Sequence, residues 1–88
     1  MVSWTIKFSP AADKEFSKLD RVVQKRIRKY FEERVLPQPY RLAEALTGNK
    51  KGLWRYRIGD YRVVTNLEDQ VLMIMIIRVG HRKDVYDF

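Results

Sequence analysis

The spacing of hydrophobic positions changes several times along this chain, and each change marks an element. Over residues 2–8, Trp4, Ile6 and Phe8 alternate with Ser3, Thr5 and Lys7. A period of two predicts a half-buried strand with one wet face. Ser9-Pro10 breaks the pattern: Ser9 suits a helix N-cap and Pro10 the first helical position. Ala12, Phe16 and Leu19 then recur at helical spacing, predicting a short helix with one side packed inward. Asp20 is placed to cap a second helix. There Val23, Ile27, Tyr30, Phe31 and Val35 form one stripe, opposite Arg21, Lys25, Arg28, Lys29 and Glu32. Val22 falls outside the stripe and Arg34 near it. Pro37 and Pro39 end the helix, and residues 38–51 read as a connection with an extra turn over residues 42–46.

The second half of the chain has strand periodicity. Alternation on both sides of Gly59-Asp60 predicts two antiparallel strands joined by a two-residue loop. Ile58 then faces Tyr61, Arg57 faces Arg62, and Arg55 faces Val64. Side chains two apart share a sheet face. Arg55, Arg57 and Arg62 therefore converge on one face, and Trp54, Tyr56, Ile58, Tyr61 and Val63 on the other. A second reversal falls at residues 67–70. Residues 71–79 are apolar at nearly every position, predicting a central strand covered on both faces. Gly80 breaks it and releases His81, Arg82 and Lys83 at the strand end. The order strand, helix, helix, strand, strand, strand predicts an α+β fold. Two helices pack on one face of a mostly antiparallel sheet. The helices cover the Trp54, Tyr56 and Val63 face, leaving the arginine face open or covered only by the C-terminal tail.

Composition narrows the chemistry. The chain has 88 residues and 45% apolar content, enough for one domain with a single core. There is no cysteine and one histidine, which excludes disulfides, Cys nucleophiles and His clusters. The acidic residues show no metal-ligand spacing, so neither a metal nor a cofactor is expected. No leader peptide or membrane-spanning run is visible, and the cytoplasm is the expected location. The net charge is +7, from 18 basic and 11 acidic residues, which favours a polyanionic partner, nucleic acid first.

Like charges facing each other destabilise a hairpin by roughly 0.2–1 kcal/mol, so Arg57 opposite Arg62 needs a reason. One reading is a solvated basic face; the sharper one is an anion site, with phosphate as the anion. Lys50 and Lys51 read either as phosphate contacts or as a solvated loop tip. The candidate site comprises Arg55, Arg57, Arg62, His81, Arg82 and Tyr86. Guanidiniums bind phosphate and stabilise developing charge, but they are poor bases. Histidine moves protons near neutral pH, although His81 also reads as a packing residue at a strand end. Tyr86 suits stacking on a base or bonding to a ribose hydroxyl. RNA brings its own nucleophile, the 2′-OH.

Three blocks together resemble the RelE/ParE toxins of bacterial and archaeal type II toxin–antitoxin modules. They are Leu46-Thr47-Gly48, the stretch from Leu53 through Arg62 to Val64, and Val79-Gly80-His81-Arg82-Lys83-Asp84-Val85-Tyr86. The resemblance implies a sheet with two helices against it and a cognate antitoxin that wraps the domain in a hetero-oligomer. On the RelE branch it implies an endoribonuclease that cuts mRNA in the ribosomal A site without a metal. Attack by the 2′-OH leaves a 2′,3′-cyclic phosphate and a 5′-OH. Family members carry two basic residues before the turn, here Arg55 and Arg57, an arginine after it, here Arg62, then Arg82 and Tyr86. Lys50, Lys51 and Lys83 are the further residues expected to contact mRNA or ribosomal RNA. The best-known RelE toxins have lysines at the first two positions, so the base role here passes to His81, to Tyr86 or to no side chain. Thr65 stands where many relatives have tyrosine. The ParE branch shares the fold and acts on DNA gyrase; a non-catalytic RNA-binding domain is a third reading.

Overall fold

The computed structural model describes residues 3–85. Its elements are β1 (Thr5–Phe8), α1 (Pro10–Ser17), α2 (Arg21–Tyr30), a π turn (Phe31–Val35), β2 (Glu44–Ala45), β3 (Trp54–Ile58), β4 (Tyr61–Glu68) and β5 (Met73–His81). The strands form one sheet in the order β1-β5-β4-β3-β2, antiparallel except that β1 runs parallel to β5. The α+β architecture expected from the sequence is present, with an additional strand.

The first turn of α1 forms as its sequence predicts. The Ser9 Oγ accepts the Ala12 N–H, and Pro10 occupies the first turn, where its missing N–H costs nothing. Asp20 does precede α2 but makes no side-chain cap bond. The α1–α2 corner is instead tied by Gln24, whose Nε2 donates to the carbonyls of Phe16 and Leu19. The stripe on α2 buries Ile27, Phe31 and Val35, while Val22 stays 79% exposed. A wider turn accommodates the last two: Leu36 N–H donates to Phe31 O, five residues back, just before Pro37 halts the helix. Ala12 and Phe16 join them against Tyr56, Ile58, Val63, Leu67, Ile74, Ile76 and Val79 in one core. The helices thus cover the predicted face.

Two expectations need correction. Residues 42–46 do not form a helical turn: Glu44 and Ala45 pair with Arg55 and Trp54 as an edge strand. The open edge of β3 takes a partner there, and a Glu44 side chain held by arginines fixes it. Nor is β5 covered on both faces. Its apolar run is continuous because of a bulge: Thr65 faces Ile76 and Val64 faces Arg78, so Ile77 is the extra residue. The bulge resets the alternation, so Ile74, Ile76 and Val79 are all buried while Met73, Met75 and Ile77 stay half-exposed. Beyond the end of β1, α1 takes over the edge of β5. Ser9 Oγ donates to Ile77 O, and the Glu15 carboxylate accepts the Val79 N–H and the Arg78 Nε–H. The β4–β5 reversal also comes slightly later than expected, with Leu72 at φ 49° leading into β5.

Candidate active site

The hairpin register is the predicted one. Arg57 faces Arg62, Arg55 faces Val64, and Ile58 faces Tyr61. Gly59 has φ +60°, which suits the first position of a II′-type turn that only glycine enters without strain. Beyond the turn, β5 continues the face: Gly80 sits opposite Arg62. The chain then reverses, with Asp84 and Val85 N–H groups donating to His81 O. Val85 is buried and lies where a Cβ on Gly80 would meet it at 3.5 Å. Among the described residues, the C-terminal segment therefore covers the Gly80 end of the arginine face and leaves the Arg55–Arg57 end open.

One carboxylate organises the open end. Glu44 Oε1 accepts from Arg57 Nε at 2.9 Å and from Arg55 Nε at 3.2 Å. The three side chains are 40%, 60% and 28% exposed, so the cluster remains in contact with water. Glu44 is the residue that reading the sequence misses. A signal existed: it is the only acidic residue between Glu33 and Asp60, in the connection that leads into the arginine-bearing strand.

Arg62 is pinned by its own turn. One terminal nitrogen donates to both Gly59 O and Tyr61 O at 2.9 Å. The other terminal nitrogen and Nε keep three N–H donors for a ligand. Burial, and then the charges of Arg57, Arg55 and Arg82, hold this guanidinium below the usual arginine value, with Glu44 pulling the other way. Three neighbouring cations thus act on Arg62, and such clustered positive charge attracts an anion. Arg82 reaches the set through the hairpin tip: its N–H donates to Asp60 O at 2.7 Å, and its Nε stands 3.9 Å from the Asp60 carboxylate.

His81 is placed differently. It pairs with Tyr61, on the face opposite the arginines, and its ring meets Tyr61 edge-on at 5.6 Å. Its Nδ1 accepts the Lys83 N–H at 3.2 Å, which leaves Nε2 as a donor in the neutral ring. Lys83 is exposed next to Arg82, at the hairpin-tip end of the site. Lys50 and Lys51 lie in the loop entering β3, at the opposite end of that strand from the tip. Tyr86 lies outside the described residues. Thr65 is fully buried, and its hydroxyl donates to Trp54 O across the hairpin, so a smaller side chain here ties β3 to β4.

The sequence model of the family described as "ParE toxin of type II toxin-antitoxin system, parDE" matches residues 6–86. The chain belongs to the RelE/ParE toxin superfamily. Toxin RelG of Mycobacterium tuberculosis is 25% identical over 83 residues, spanning 94% of this chain and 95% of that protein. The RelBE2 toxin–antitoxin complex of the same organism contains a chain that superposes with a TM-score of 0.85. It shares 25% identity and covers 92% of this toxin and 100% of its own length. The isolated RelE toxin of E. coli superposes with a TM-score of 0.76 at 28% identity, over 96% and 92% of the two chains. The toxin therefore has the fold and family that its sequence blocks imply. It is the toxin of a type II toxin–antitoxin system. No helix among the described residues is long and apolar enough to cross a membrane.

Proposed function

We propose that this toxin is a RelE-branch endoribonuclease that cleaves mRNA in the ribosomal A site and is neutralised by a cognate antitoxin. One observation supports the reading most strongly: Arg55 and Arg57 share the Glu44 carboxylate beside Arg62, whose guanidinium feels the charges of Arg57, Arg55 and Arg82. The scissile phosphate seats at Arg62. The three unused donors of Arg62 bind its non-bridging oxygens, and their hold tightens as charge builds on the pentacoordinate phosphorus. Glu44, held between Arg55 and Arg57, accepts the proton of the 2′-OH as its oxygen attacks. The bond from phosphorus to the 5′ oxygen breaks, that oxygen takes up a proton from water, and the products are a 2′,3′-cyclic phosphate and a 5′-OH. The nucleophile belongs to the RNA, so this route needs no metal-bound hydroxide.

Arg82 and Lys83 extend positive charge along the substrate, and Tyr86 stacks on a base. Lys50 and Lys51, at the far end of β3, suit contacts with ribosomal RNA. His81 serves the strand end against Tyr61 and acts on the site only through the position of Arg82. A second reading, inhibition of DNA gyrase, is favoured by the ParE description of the matching family. Product analysis separates the two. Purified toxin added to translating ribosomes should produce new RNA ends bearing cyclic phosphate. Gyrase-dependent double-strand DNA breaks with intact mRNA would overturn the ribonuclease reading.

A further inference from the structure

We infer a second phosphate-binding cleft around the corner of the hairpin tip, formed by Arg26, Lys29 and Arg34 together with Arg57. It carries the single-stranded RNA backbone away from the arginine face. The inference rests on the RNA reading above and extends it to residues of the helical layer.

The cleft exists because the fifth strand is so short. β2 pairs only with Trp54 and Arg55, so the outer edge of β3 beyond Arg55 has no strand partner among the described residues. The end of α2 and the π turn pass beside that open edge. Between them lies a cleft of about 360 Å³ with Arg26, Lys29, Arg34 and Arg57 among its lining residues. Tyr30 and Glu33 also line it, and Glu33 is its only carboxylate. No carboxylate of the described residues forms an ion pair with Arg26, Lys29 or Arg34. Arg28, by contrast, is engaged with the fold, its guanidinium stacked over the Phe16 ring at 5.2 Å.

Two contacts make the cleft continuous with the site. Arg57 belongs to both, bonded to Glu44 on one side and lining the cleft on the other. Arg26 lies against the turn itself: a Cβ on Gly59 would come within 2.7 Å of its guanidinium. The absence of a side chain at Gly59 thus lets a helix-borne cation sit beside the residues that hold the scissile phosphate. Three cations on the helical layer, one shared cation at the corner and one opposing carboxylate match a polyphosphate chain. The half-buried Tyr30 offers a ring on which a base can stack.

The test uses 2′-O-methyl oligouridines of increasing length, which lack the attacking hydroxyl and so bind without being cut. Wild-type affinity should rise with length until the strand reaches the cleft. The double variant Arg26→Gln/Arg34→Gln, altered only at exposed positions, should bind the shortest oligomer normally and lose that rise. Its log–log salt slope with a long oligomer should be shallower by about 1.4, at about 0.7 per lost contact. Glu33→Gln should tighten the long oligomer and leave the short one unchanged. An unchanged length gain in the double variant overturns the cleft while leaving the arginine face intact. Absence of binding by wild-type toxin at every length overturns the RNA reading itself. Unchanged RNA binding with lost binding of poly-glutamate assigns the cleft to an acidic protein partner and also overturns the proposal.

Discussion

Glu44→Gln separates binding from chemistry at this site. The substitution keeps the shape and one acceptor oxygen and removes the charge. Two Nε atoms held 2.9 and 3.2 Å from one oxygen lie at most about 6 Å apart. Unit charges at that distance repel by about 0.7 kcal/mol in bulk water and about 3 kcal/mol at an effective dielectric of 20. Arg57 is 60% exposed, so the effective value lies toward the lower figure. The cost to stability should therefore be about 1 kcal/mol or less, readable as a small shift in a urea midpoint. Binding should move the other way. A phosphate entering the wild-type site competes with Glu44 for Arg55 and Arg57; in the variant both are released. Affinity for a 2′-O-methyl oligonucleotide should rise by up to about tenfold, since about 1.4 kcal/mol corresponds to a factor of ten. Cleavage of bound RNA should slow by about 10²–10⁴, the usual range for losing a positioned base. Tighter binding with slower cutting is the expected pair. Unchanged or weaker binding would show that Glu44 does not compete with phosphate, and undiminished cleavage would remove it as proton acceptor.

Arg62→Ala should leave a folded protein by circular dichroism and raise the activation barrier by about 2.7–4 kcal/mol, as loss of an oxyanion donor does; wild-type single-turnover rates would reject its assignment. His81→Gln should leave the pH profile of cleavage unchanged, because its ring faces Tyr61 rather than the arginines; a flattened profile would return it to proton transfer. Tyr56→Phe removes the donor to Pro39 O, bonded at 2.6 Å in the core, and should cost about 1–3 kcal/mol in chemical denaturation. Burial raises the Tyr56 phenol above its ordinary value of 10.0, so its stabilising contribution is complete below pH 10 and is lost as the pH climbs further. Alkaline melting should accordingly be less steep in Tyr56→Phe than in wild type.

Much of this was legible because hairpins are governed by short-range rules. The Gly59-Asp60 turn fixed the register, and the register alone put Arg57 across from Arg62 and His81's neighbour Tyr61 on the other face. The helix starts were equally local, although at Asp20 the position was right and the side-chain bond was absent. What escaped was long-range. A two-residue strand has no periodicity, so β2 could be seen only through its partner β3, and Glu44 with it. The Ile77 bulge was hidden for a related reason. A run of apolar residues looks the same whether it faces a core on both sides or changes faces midway. His81 entered the candidate set because imidazole moves protons near neutral pH; the pairing that sets its ring against Tyr61 is made across strands and could not be read from its own stretch.

The pairing of β1 with β5 has a bearing on how the toxin comes into being. The two strands at the centre of this junction lie far apart in the chain: Ser9 bonds to Ile77 across 68 residues. Synthesis proceeds from the N-terminus, so β1 must wait, unpaired, while nearly everything else is made. Contacts of such long separation are slow to form and come late in folding. Arg82 and the segment that covers Gly80 arrive with the same final strand. A partly made chain therefore presents a hairpin with incomplete arginine clustering, and the edges of β1 and β4 that β5 later covers are open. The interval before β5 docks is when the nascent polypeptide is least active and most prone to aggregate, and when a partner able to cap those edges would have the greatest effect on its yield.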